Sequence, residues 1–248
     1  MFQRGRLAGG LAVVALVSVF LVTLDAHAAD LLVRNTASAS VSVVAHARST
    51  HVVVHPRPDG RSQSRTLLNP WAVAEVDPLF GGGSAKQVFL VTQQRRGWVR
   101  VLLPTRPNGS TGWIPAQELG FTTTRYRVEI GLRDHRVTVT DPRGVVYRGT
   151  ATVGAGDTPT PTGRYYIRAR VVPRVQETPY GPAVLVLSAH STALTTIRGG
   201  DASILIQGSD DPTALGLSVS HGNVRIDNNA MRKLARILPP GTPVDVNT

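Results

Sequence analysis

The sequence predicts a mainly β protein, a small barrel-like module followed by a larger β domain that closes with one amphipathic helix. Three observations carry this. Short runs rich in Val, Leu and Thr are divided by Gly, Pro and Asn clusters, the pattern of strands separated by turns. Glycine (24) and proline (17) are plentiful while aromatics make up 5%, a balance that favours turn-rich sheet over a helical bundle. One segment stands out with helical spacing: Met231, Leu234, Ala235 and Leu238 recur at i, i+3, i+4 and i+7.

The chain of 248 residues is long enough for one large domain or two small ones, and 42% hydrophobic content against 17% charged supplies a sizeable core. Residues 1–28 have the form of an export signal. Arg4 and Arg6 make a basic start, Leu7 to Leu24 is an almost uncharged apolar run, and Ala26-His27-Ala28 is a small-x-small cleavage site. Left uncleaved, the same run would nearly span a bilayer as an anchor, so a membrane is a partner only in that case.

Residues 29–121 form the first module. Strands are expected at Val41–Val44, His51–His55, Gln87–Thr92 and Trp98–Leu103, with Gly112-Trp113-Ile114 returning after the turn Pro104 to Gly109. Gly81-Gly82-Gly83-Ser84 is expected to be a flexible loop. The segment from Gly97 to Ile114 resembles the end of an SH3-like barrel, with Trp98 and Trp113 as core or platform residues. Residues 122–248 form the second domain, with strands expected at 125–130, 136–140, 145–153, 164–172, 183–188, 203–207 and 243–246. Asp227 or Asn228 caps the helix, and Pro239-Pro240-Gly241 stops it.

The net charge of +11 is almost all arginine, since Lys86 and Lys233 are the only lysines. For an exported chain the matching partner is an anionic cell envelope rather than nucleic acid. With no dense basic run, a compositional bias toward arginine on a solvated surface explains the charge as well. There is no cysteine, which excludes disulfides, Cys-based zinc sites and any thiolate nucleophile. No metal-ligand spacing or phosphate loop is present, so no cofactor and no metal are expected.

Three segments of the second domain together resemble the L,D-transpeptidase (YkuD-type) catalytic domain of bacterial cell walls. They are Gly154 to Tyr165, then Tyr180-Gly181-Pro182 with Leu187 to Ser191, then Ile204 to Pro212 through Ser220-His221-Gly222-Asn223-Val224-Arg225. The resemblance continues through the helix to Val244 and covers about half the chain. It implies a fold and an acyl-transfer chemistry. In that family a cysteine thiolate attacks a peptidoglycan stem peptide, an upstream histidine activates the thiol, and backbone N–H groups hold the oxyanion.

In this chain the position of the nucleophile is Asn223 and that of the base is Gln207, sixteen residues upstream. An amide has no ionisable proton near neutral pH and cannot take and return one, so both chemical roles are lost together. Ser220, His221, Gly222 and Arg225 remain as the residues that, by the resemblance, shape the loop and the substrate cleft. Ser220 and His221 are neighbours on an extended segment and point to opposite faces, and His190 is a second candidate base with a structural role favoured. The resemblance therefore implies a secreted or cell-envelope protein that binds stem peptides or an anionic wall polymer as a pseudoenzyme. The alternatives are a working transpeptidase with a rerouted nucleophile, or a structural envelope protein. The sequence assigns no oligomeric state.

Overall fold

The computed structural model describes residues 41–248, except residue 63 and residues 174–177. The export signal expected at 1–28 lies outside the described residues. Among the described residues, strands dominate and there is one α-helix.

In the first module, strand Trp98–Leu102 buries Val99 and Val101 and exposes Arg100, the alternation of a half-buried sheet. It sits in a five-stranded antiparallel sheet. The order is Thr111–Pro115, Trp98–Leu102, Val88–Arg95, Ser42–Ala47 and Leu119–Thr124. The hairpin between Val88–Arg95 and Trp98–Leu102 turns at Arg96 and Gly97, both at positive φ, which matches the twist of the flanking strands. Ala45, Phe89, Val101, Ile114 and Leu119 form its core. Trp113 is buried there, while Trp98 is half-buried with its ring edge-on to His55.

Two features differ from the sequence expectation. Strand Arg65–Leu68 pairs with His51–Val54 although its burial pattern shows little alternation. The end of the expected flexible loop is also ordered. Ser84–Ala85 pairs with Trp71–Ala72, and Val73 N donates to Gly83 O at 3.0 Å.

The second domain is an eight-stranded mixed sheet. Its order is Gly144–Thr150, Arg136–Asp141, Arg127–Gly131, Pro243–Asn247, Gly163–Val171, Val184–His190, Ser203–Gln207 and Val224–Arg225. The last strand of the chain lies in the middle of this sheet, parallel to Arg127–Gly131 and antiparallel to Gly163–Val171. The strand expected to run through Val153 instead ends at Thr150. Val153–Gly154 leaves to pair with Ser218–Ser220, because the backbone of Thr152 is taken by Arg225.

Helix Asn228–Ile237 starts at Asp227, whose carboxylate accepts from the amides of Asn229 and Ala230. Met231, Leu234 and Ala235 face the core formed by Ile130, Ile167, Leu185, Leu187, Ile206 and Ile226 among others. Leu238 caps the helix end; beyond it Gly241 sits at φ +92, and a Cβ there would stand 2.2 Å from Val44. Only glycine lets the chain turn this close to the first sheet.

The two sheets share apolar contacts. Val44, Val88, Leu90 and Leu102 of the first pack on Tyr166 of the second, and Trp71, Val73, Val76 and Phe80 pack on Ala169, Val171 and Tyr180. Polar contacts fix the register. Asn108 exchanges two hydrogen bonds with the backbone of His190, at 2.8 and 2.9 Å. Arg106 donates to the carbonyls of Ser191, Leu194 and Asp201. No helix of the described residues is long and apolar enough to cross a membrane.

Candidate functional site

Ser203–Gln207 is buried along its whole length, because its run Ile204-Leu205-Ile206 is apolar on both faces and fits only an interior strand. It pairs antiparallel with Val184–His190 and parallel with Val224–Arg225, where Ile206 faces Val224 and Gln207 faces Arg225. This parallel register brings Asn223 alongside the strand. Leu205 N donates to Asn223 Oδ1 at 3.0 Å. Asn223 Nδ2 donates to Gln207 Oε1 at 3.1 Å, and Gln207 Nε2 donates to the carbonyl of Pro179 at 3.0 Å.

The two positions are thus joined side chain to side chain, in a relay of amides from the loop through the strand to residue 179. Gln207 is buried and Asn223 half-buried. A buried amide keeps its place when both its donor and its acceptor are used, and each of these two has partners for both. Neither group carries a proton that can be transferred at neutral pH. The relay holds the loop and performs no proton chemistry.

The loop Ser220 to Asn223 is braced from the segment 154–160. The carbonyl of Ser220 accepts from Ala155 N at 2.8 Å and from Thr158 Oγ1 at 3.2 Å. The carbonyl of Gly222 accepts from Thr160 Oγ1 at 2.8 Å, and the same hydroxyl accepts from Gly154 N. Gly222 lies at φ +103, with Ile204 Cδ1 3.1 Å from where a Cβ would be, so glycine is required by conformation and by space.

The other sequence-predicted residues fall as follows. Ser220 is buried; its Oγ donates to the carbonyl of Asn223 at 2.5 Å and accepts from Gly222 N at 3.2 Å. Its hydroxyl is therefore committed to the turn. His221 is exposed. Arg225 exchanges two backbone hydrogen bonds with Thr152 at 2.9 Å each, and its Nε is buried without a partner. Hydrogen bonds from Thr213 hold the Asp211 carboxyl below the usual carboxylate range, helped more weakly by the charge of Arg225.

His190 does not join this group. It sits opposite Ser203 at the far end of the strand pair, and Ser203 is four residues, about 13 Å along the strand, from Gln207. It is buried, with Nε2 3.4 Å from the Asp201 carboxylate. Burial alone would raise the pKa of Asp201, but hydrogen bonds from His190 and Ser203 outweigh it and hold the carboxyl low. Arg168 completes this cluster, with its guanidinium 3.6 Å from the centre of the Trp71 ring and 4.0 Å from Asp201. Sequence reasoning passed over Arg106, Asn108, Arg168 and Asp201, because each meets partners far along the chain. It also missed Thr158 and Thr160 as braces, although the run Thr158-Pro159-Thr160-Pro161-Thr162 offers hydroxyls at alternate positions.

The chain is similar to known proteins. A family described as the L,D-transpeptidase catalytic domain, YkuD, matches residues 125–246. A Bacillus subtilis protein named as an L,D-transpeptidase, YkuD, is 30% identical over 152 residues, which is 59% of this chain and 84% of that protein. Its namesake in Bacillus licheniformis is 29% identical over 124 residues, covering 50% and 67%. Among solved structures, a mutant of the Enterococcus faecium L,D-transpeptidase is similar at 21% identity and a TM-score of 0.40. That likeness covers 50% of this chain, and the chain spans half the length of that structure.

Proposed function

Because the chain belongs to the L,D-transpeptidase catalytic-domain family, we propose that it is an exported cell-wall protein that holds peptidoglycan stem peptides without cutting them. The observation that carries this is the hydrogen bond between Asn223 and Gln207, in the two positions where an acyl transferase of this family needs a thiol and an imidazole. Stem-peptide binding and transition-state stabilisation are separable. A loop braced by Thr158 and Thr160 keeps its shape after the reacting groups are gone. The exposed His221 and the partly buried Arg225 remain beside it for polar contacts with a peptide.

Ser220 is no substitute nucleophile, since its hydroxyl is spent within the turn. The test uses a stem tetrapeptide with an amine acceptor and follows both affinity and product, and in parallel the intact mass after incubation with a carbapenem. Saturable binding with no product and no mass gain is expected. A stoichiometric adduct would overturn the reading, with Ser218 the residue to inspect first, as its Oγ lies 2.8 Å from His135 Nε2. Export is checked separately by the N-terminal residue of the mature chain, expected near Ala29.

A further inference from the structure

A groove of about 810 Å³ lies between the first sheet and the C-terminal end of the helix. The end of strand Leu119–Thr124, residues 168–170 and the turn at Leu238 to Pro240 wall it. Its charge is one-sided. Lys86, Arg125, Arg168, Arg170 and Arg236 line it, and no Asp or Glu does.

These cations are poorly neutralised. Among the described residues Lys86, Arg170 and Arg236 form no ion pair, and Arg125 reaches Asp141 only at 3.9 Å. Arg168 is 6% exposed, and its Nε has no hydrogen-bond partner. The Asp201 carboxylate is 4.0 Å from its other end. Burial, and to a lesser degree the nearby Lys86 charge, lower the pKa of His46 in the same groove. Lys86, Arg125, Arg170 and Arg236 are exposed like charges around one concavity; they repel each other, and an anion placed between them relieves that repulsion.

We propose that this groove binds a phosphate-bearing polymer, with its charges on the arginine forks and its carbon backbone against the apolar wall. Guanidinium groups donate two parallel hydrogen bonds to phosphate oxygens. The Thr123 hydroxyl at the rim adds a further donor. A phosphate offers more acceptor oxygens to such a dense donor set than a carboxylate does. Ile237, Pro239 and Pro240 supply an apolar strip for the uncharged spacer. This site is separate from the Asn223–Gln207 centre, so it stands or falls independently of the stem-peptide reading.

The probe is linear polyphosphate of about ten units, with poly-glutamate of equal length as the carboxylate arm, both followed by fluorescence anisotropy on the purified chain. Affinity falls with salt because exposed charge attraction is screened over roughly 8 Å at physiological ionic strength. The pair Arg170→Gln with Arg236→Gln removes two exposed cations from the groove. It is expected to weaken polyphosphate binding by about tenfold or more, as two charge-assisted hydrogen-bonding groups are lost. The pair Arg57→Gln with Arg95→Gln makes the same charge change beside Trp98, in a different depression, and is expected to leave affinity within about twofold. Should loss of the Arg170 bond to the Ala235 carbonyl destabilise the helix end, Lys86→Gln is the second variant, expected to lower affinity without altering the melting temperature. Equal losses in the two arginine pairs would mean diffuse surface attraction and overturn the proposal. Tighter binding of poly-glutamate, or no polyphosphate binding at low salt, would do the same.

Discussion

Replacing Asn223 with cysteine and Gln207 with histidine should rebuild a reactive thiol, and the contact between these side chains sets the size of the effect. In the single variant Asn223→Cys, the thiol faces the amide of Gln207. With no base beside it, its pKa stays near about 8.5, and only about 3% is thiolate at pH 7. The substitution also removes the acceptor of Leu205 N and the donor to Gln207. A buried donor left without a partner costs about 1–3 kcal/mol, so this variant should melt earlier.

In the double variant, an imidazole stands where Gln207 Oε1 now lies 3.1 Å from Asn223 Nδ2, within reach for proton transfer. General-base assistance is worth about 10²–10⁴-fold, and labelling should speed up by that range. The assay is the rate of mass gain with a carbapenem at several pH values. The single variant's rate should climb through about pH 8.5, and the double variant's should level off well below it, once the imidazole is neutral. The change Gln207→His alone should give no adduct. Equal rates for single and double variants, or identical pH profiles, would refute the claim that these positions are a dismantled nucleophile and base. Labelling without cross-linking of a stem peptide would place the remaining loss on the acceptor side of the cleft.

Other consequences can be checked in the same material. Asp201→Asn should cost about 1–3 kcal/mol in urea unfolding at pH 7, less than a fully buried pair because Asp201 is 34% exposed. Its carboxyl has a lowered pKa when folded, so this stability is present above about pH 3.9 and is lost as pH falls through the folded value. Wild type and variant should therefore converge in acid, and a gap that persists there would contradict the assignment. Gly222→Ala should destabilise the loop by about 1–3 kcal/mol, from positive φ and from the approach to Ile204; an unchanged melting temperature would show that the turn relaxes freely. Tyr180→Phe removes the hydroxyl that donates to Asp77 across the two sheets. Burial, and then that bond, raise the Tyr180 pKa. The change should lower stability by about 1–3 kcal/mol, and a neutral outcome in thermal unfolding would mean that water replaces the hydroxyl.

Much of the second domain was legible in its sequence. Ser203–Gln207 reads as a buried strand because Ile204, Leu205 and Ile206 are apolar in succession. The helix reads from its 3.6-residue spacing, with Asp227 or Asn228 as start and Pro239 as stop. These signals are local, set by side chains a few residues apart. The same holds for the chemistry excluded by composition: a chain without cysteine has no thiolate, whatever its fold. Strand Arg65–Leu68 gave no such signal, since its pattern barely alternates and its place depends on pairing with His51–Val54. The detour of Val153–Gly154 to Ser218–Ser220 was equally silent.

Tertiary structure alone decided what Asn223 and Gln207 do. The sequence places an amide at 207 and another at 223, sixteen residues apart, and says that neither can react. Only the parallel register of Val224–Arg225 on Ser203–Gln207 turns them toward each other and gives each amide both a donor and an acceptor partner. The joint between sheets is of the same kind. Arg168 stacks on Trp71 and faces Asp201, which in turn faces His190, and Tyr180 meets Asp77 across 103 residues of chain. A buried polar group must find a partner or lose the free energy of its hydration. Which partner it finds depends on the packing that excludes water there, a property of the folded chain that short-range sequence pattern does not encode.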